Sequence, residues 1–151
     1  MEKTQLAALA ATLAPDAQLV QGKQFVEITL LPTELYTVAE KLKNHSDTAL
    51  DMLVSITGMD YGSELGTVYH LRSTVHNHMI VLKTRVSDRE NPEIDSLCGL
   101  WPAAEFHERE AFDLLGIRFR NHPDLRRLFL DSTWGYPLRK DYKDDINILA
   151  K

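Results

Sequence analysis

Apolar positions recur along this chain with two periods, and the changes from one to the other mark its elements. The opening MEKTQLAALAATLAP reads as a short amphipathic helix that ends before Pro15, with Thr4, Gln5 and Thr12 interrupting its apolar run. Gln24 to Leu31 is rich in β-branched residues and partly alternating, which predicts a strand. After Pro32, the residues Leu35, Val38, Ala39 and Leu42 take up helical spacing, with Thr33 as the expected N-cap. Leu50–Thr57 predicts a second strand, followed by a glycine-rich turn from Met59 to Gly66. Thr67–Val75 and Met79–Val86 predict a hairpin turning at His76-Asn77-His78, and Asn91-Pro92 breaks the sheet region. From Pro102 to Leu115 the period is helical again, with Gly116 as its C-terminal cap.

Strands joined by hairpins and flanked by helices imply an α+β fold: a small, mostly antiparallel sheet with helices on one face. Beyond Gly116 the pattern fails, because Pro123, Gly135 and Pro137 exclude a long helix. The expected organisation is an α+β domain over 1–116 and an extended C-terminal docking arm over 117–151. One short helical turn is expected near Pro123–Phe129. Truncation after Gly116 is expected to leave a folded domain.

Composition narrows the chemistry. A net charge of −5 gives no basic footprint for nucleic acid. No apolar run reaches the roughly 18 residues of a membrane span. The N-terminus lacks the basic region of a signal peptide, so a cytosolic chain is expected unless partners hold it at a membrane. The single cysteine, Cys98, supports neither an iron–sulfur cluster nor a cysteine-rich zinc site, and reads as a small buried hydrophobe. Neither a dinucleotide-binding nor a phosphate-loop glycine pattern occurs, and Gly58, Gly62 and Gly66 read as a turn. His70, His76 and His78 read as surface or turn residues. His107-Glu108 fails as a zinc-protease motif because Ala111 stands at the second ligand position.

The segment WPAAEFHEREAFDLLG is the densest feature. On a helix, Trp101, Ala104, Ala111, Phe112 and Leu115 form one stripe, and Glu108 falls inside it. A carboxylate there needs a partner, expected to be Arg126, Arg127 or Arg139, or an arginine of another subunit. Arg109 and Asp113 fall on the opposite side, with Glu105 positioned to reach Arg109. A free-standing enzyme using His107, Glu108 and Glu110 as acid–base groups is disfavoured, since the three point in different directions. The arm interleaves Arg126, Arg127, Arg139 and Lys140 with Leu125, Leu128, Phe129, Leu130, Trp134 and Tyr136, a composition typical of docking surfaces. Trp134→Ala or Arg139→Ala is expected to weaken association by roughly 2 kcal/mol or more.

Three runs carry a resemblance: Glu108-Arg109-Glu110 with Asp113-Leu114-Leu115-Gly116-Ile117; His122-Pro123 with Leu125-Arg126-Arg127; and Trp134-Gly135 with Pro137-Leu138-Arg139-Lys140-Asp141-Tyr142. Together they resemble the thirty-kilodalton family of respiratory complex I, its C subunit, and cover about a quarter of the chain. Lys143 departs from the proline found in many relatives. The resemblance implies a non-catalytic peripheral-arm subunit of a proton-translocating NADH-quinone oxidoreductase. It would lie on the cytoplasmic side of the cell membrane, docked on the D subunit and other peripheral-arm subunits. No cofactor is implied in this chain; flavin and iron–sulfur clusters, which carry electrons from NADH to quinone, belong to partners. The implied partner contacts are Glu108, Arg109, Glu110, Asp113, Arg126, Arg127, Trp134, Arg139, Lys140 and Tyr142. The equivalent subunit of a membrane-bound hydrogenase, or of a ferredoxin- or F420-linked quinone reductase, is the alternative.

Overall fold

The computed structural model describes residues 2–144, and β1 to β7 and α1 to α3 are numbered here in chain order. Helix α1 (Lys3–Leu13) buries Leu6, Ala7 and Ala10 and stops ahead of Pro15. Strands β1 (Gln18–Gln21) and β2 (Val26–Leu30) form a hairpin. Helix α2 (Leu35–Asn44) buries the expected Leu35, Val38, Ala39 and Leu42. Its N-cap is Glu34 and not Thr33, and the Glu34 carboxylate accepts from the Leu31 amide.

Strands β3 (Met52–Asp60), β4 (Leu65–Ser73) and β5 (His78–Val86) complete a five-stranded sheet of order β1-β2-β5-β4-β3. All its pairings are antiparallel except β2 with β5. The glycine-rich stretch is therefore mostly strand, since β3 and β4 pair as far as Asp60↔Leu65 and the turn shrinks to 61–64. His76 and His78 stack at 5.5 Å and hold the preceding loop through the carbonyls of Ser46 and Thr48.

Alternation puts Val26, Ile28, Leu30, Tyr69, Leu71, Ile80 and Leu82 on the face that meets the helices, which makes the core. The α+β expectation, with helices on one face, holds. Helix α3 (Ala104–Leu115) crosses β3, where Gly58 allows the close approach. A Cβ at Gly58 would lie 2.5 Å from Leu115 Cδ1.

The expected boundary at residue 116 falls inside the folded body. Strand β6 (Glu93–Asp95) pairs in parallel with β7 (Arg118–Arg120), and Ile117 and Phe119 are core residues. Truncation after Gly116 would remove them, so the expected independent domain does not end there. The arm begins after β7 and is irregular to Asp144; over 123–129 it makes one turn, at Pro123 and Asp124, and no helix. Arg109 and Asp113 draw the backbone of this stretch onto α3 by side-chain hydrogen bonds, which compete with a local helix.

Gly116 caps α3 at φ 77, and a Cβ there would meet the Tyr136 ring at 2.7 Å. Gly116→Ala combines a left-handed backbone penalty with displacement of Tyr136, and should cost about 2 kcal/mol in urea unfolding. An unchanged midpoint would show that the ring yields freely.

Candidate functional site

Helix α3 has two buried polar stations. On its sheet side Glu108 is fully buried. One carboxylate oxygen accepts from the Ser96 hydroxyl at 2.6 Å and the Cys98 thiol at 3.2 Å; the other accepts from the Leu97 amide at 3.0 Å. The expected arginine is not its partner. The loop after β6 satisfies the carboxylate with neutral donors. With no arginine or lysine paired to it among the described residues, burial raises its pKa despite the opposing hydrogen bonds and the nearby His122.

On the opposite side, helical spacing alone would leave Arg109 and Asp113 at the solvated surface, but they are 4% and 0% exposed. The arm covers them. Arg109 donates to the Arg126 and Arg127 carbonyls at 3.2 and 2.9 Å, and not to Glu105. Asp113 accepts from Arg127 Nε at 2.7 Å and from the amides of Phe129 and Leu130 at 2.7 and 3.1 Å. Burial would raise the Asp113 pKa, but these donors outweigh it and hold the carboxyl below its ordinary value. Arg127 also donates to the carbonyls of Asp113, Trp134 and Gly135. This one guanidinium thus ties helix to arm at two points along the arm.

Further on, the Leu138 amide donates to Leu114 O at 3.0 Å and Arg139 Nε to Leu115 O at 2.7 Å, capping two of the helix's terminal carbonyls. The guanidinium groups of Arg127 and Arg139 lie 5.3 and 5.1 Å from the Tyr136 ring centre. The Lys140 amide donates at 2.8 Å to Asp60, which also pairs with Arg89. The Arg89 hydrogen bond holds the Asp60 carboxyl well below the ordinary carboxylate range.

Most residues marked by the sequence as partner contacts are therefore engaged within the chain. Arg126 pairs locally with Asp124 on the surface, and Tyr142 donates to Asp144. Trp134 is half-buried. Glu110 and the Lys140 side chain are exposed and form no ion pair among the described residues. On the same helix and arm Phe106, Phe129 and Leu138 stand 58%, 70% and 59% exposed. The sequence signalled the apolar content of this surface but not which of its side chains the fold would leave uncovered.

One cluster has metal-ligating types: Cys98, Glu108 and His122 bring one ligand atom each within 4.8 Å of the others. Its bonds close on themselves. His122 Nδ1 accepts the Asp124 amide, Nε2 donates to Glu105 O, and the thiol donates to Glu108. Burial pushes the half-buried Cys98 thiol up to about 12, away from the thiolate a nucleophilic step requires. Among the described residues no helix is long and apolar enough to cross a membrane.

Fold and site define a small α+β domain whose third helix is strapped by its own C-terminal arm. The chain belongs to the family of the respiratory-chain NADH dehydrogenase 30 Kd subunit, which matches residues 28–146. It is 42% identical to the C subunit of the Roseiflexus castenholzii NADH-quinone oxidoreductase, over 91% of this chain and 82% of that one. It is 53% identical to the C/D subunit of the Phocaeicola vulgatus NADH-quinone oxidoreductase, over 73% of this chain. The chain spans only 22% of that C/D polypeptide and 23% of the Bacteroides thetaiotaomicron one. Its fold is shared with a chain in the structure of the membrane-bound sulfane sulfur reductase, an archaeal respiratory membrane complex. The TM-score there is 0.81 at 22% identity, covering 98% of this chain and 93% of that one.

Proposed function

We propose that this chain is a non-catalytic peripheral subunit of a proton-translocating NADH-quinone oxidoreductase, and that it works by docking the D subunit and its neighbours. In this reading flavin and iron–sulfur clusters sit in partner subunits and carry electrons from NADH to quinone. The chain lies on the cytoplasmic side of the membrane, held there by those partners. Relatives that bear the joined name C/D support the pairing, because that name couples the two subunits. The observation that carries the reading is the uncovered surface of α3 and the arm. The strap is fixed by its own Arg127–Asp113 clasp, yet it presents Phe129, Leu138 and Lys140 to solvent, and α3 presents Phe106 and Glu110. Large apolar side chains rimmed by charge are what a docking surface requires.

Retention of the D subunit by the tagged full-length chain tests this. Phe129→Asp and Leu138→Asp change exposed side chains, so circular dichroism should be unchanged. Each should weaken retention by roughly 2 kcal/mol. Undiminished retention by both variants would remove the docking role from this surface. The purified chain is further expected to carry no iron and to bind neither NADH nor flavin. Stoichiometric iron, or NADH binding at micromolar concentration, would overturn the scaffold reading. A nickel-containing subunit captured in place of a flavin-containing one would mark the hydrogenase alternative.

A further inference from the structure

We propose that the outer edge of β3 takes up an extended segment of a partner subunit, which adds to the sheet as a further strand. The inference rests on the assembly-subunit reading and gives it a second contact beside the arm.

Strand β3 lies at the end of the sheet, and no described strand pairs with its outer edge. Free edges are normally blunted by lysine, proline or shortness. This one is nine residues long, MLVSITGMD, with no lysine, arginine or proline. Its one charge is Asp60 at the end, already clasped by Arg89. Met52, Val54 and Met59 are 46%, 41% and 36% exposed. A register irregularity between Leu53 and Ser55 leaves regular pairing with β4 from Ser55 to Asp60.

Along that stretch runs a groove of about 280 Å³. One wall is Ser55, Ile56, Thr57 and Gly58. Four consecutive strand residues cannot all direct their side chains the same way, so this wall is the backbone edge itself. The other wall comes from α3 and the arm, with His107, Glu110, Ala111 and Leu138. A groove between an edge strand and a helix suits an extended peptide: main-chain hydrogen bonds hold it and alternate side chains enter the groove.

Charge identifies the occupant. Glu110 is exposed, lacks an ion-pair partner among the described residues, and is the sole lysine, arginine, aspartate or glutamate lining the groove. The matching segment is extended, apolar at alternate positions, and basic where it passes Glu110. A second copy of this chain does not supply this. Its edge strands in the five-stranded sheet, β1 and β3, contain no cation, and β7, the cationic edge of the small sheet, has only three residues, too few to span Ser55 to Asp60.

Hydrogen exchange on the full chain, alone and in the complex with its partner subunits, tests the proposal. Outward-facing amides over 55–58 should exchange fast in the isolated chain and at least tenfold more slowly in the complex. Glu110→Lys should abolish most of that slowing. Protection of the arm without 55–58 would overturn the edge contact and leave the docking role standing; protection of neither would overturn both. Slow exchange at 55–58 in the dilute isolated chain would show that its own residues cover the edge, and slowing that grows with concentration would identify a second copy. Either result overturns a partner strand, as would full protection in Glu110→Lys.

Discussion

Asp113→Ala is expected to cost about 4 kcal/mol, because the variant leaves a cation and two amides without their acceptor under the arm. The wild-type carboxylate is fully buried and accepts from Arg127 and from the Phe129 and Leu130 amides. Arg127 is itself 77% covered, so water replaces the lost partner poorly. Asn at this position keeps the shape and one acceptor oxygen. It can serve the two amides or the guanidinium but not both, so about half the loss is expected. The chain carries its own reporters: Trp101 lies in the core at 3% exposure and Trp134 in the arm. Urea unfolding followed by fluorescence should show the arm loosening ahead of the core in Asp113→Ala. Coincident transitions at the wild-type midpoint would dismiss the clasp. The pH dependence has a definite sign. A carboxyl with a lowered folded pKa gives its full contribution above 3.8, the unperturbed value, and loses it as pH falls through the folded pKa. Acid should therefore free the arm only below about pH 4.

Glu108→Ala is the second large effect, about 3 kcal/mol, for a different reason. Here a hydroxyl, a thiol and an amide from 96–98 would lose their shared acceptor inside the core. Glu108→Gln should cost less than about 1 kcal/mol, since its oxygen can still take the Leu97 amide while its nitrogen donates to Ser96. The linkage runs opposite to that of Asp113. The folded Glu108 holds its proton to higher pH than the unfolded chain, so stability declines as pH rises above the unperturbed 4.5 towards the folded pKa. Glutamine should abolish that decline. Unfolding of both variants across pH 4 to 8 decides the matter. A glutamine variant as unstable as alanine would show that the carboxylate is needed charged, and a slope left intact would assign the pH dependence to other groups.

The sequence by itself determined the elements with strong periodicity. Helix α2 and its four buried apolar residues, the β4–β5 hairpin and α3 with its Gly116 cap all follow from local patterning. It also determined the family, because the arginine, aspartate and proline spacing from 108 to 142 is distinctive without a fold. Short strands escaped it: β1, β6 and β7 have four, three and three residues, too few for a period to register. What tertiary structure decided was the partner of each buried charge. The sequence placed Glu108 on an apolar stripe, but only the loop at 96–98 could show that neutral donors, and not an arginine, would meet it. Likewise Arg109 and Asp113 look solvated on an isolated helix, because helical spacing describes one element and not what covers it. The arm returns from residues 126 to 139 to bury that face. The cost of leaving a polar group unpaired is set by whatever packs against it. That neighbour is distant in sequence, so only the folded chain could name it.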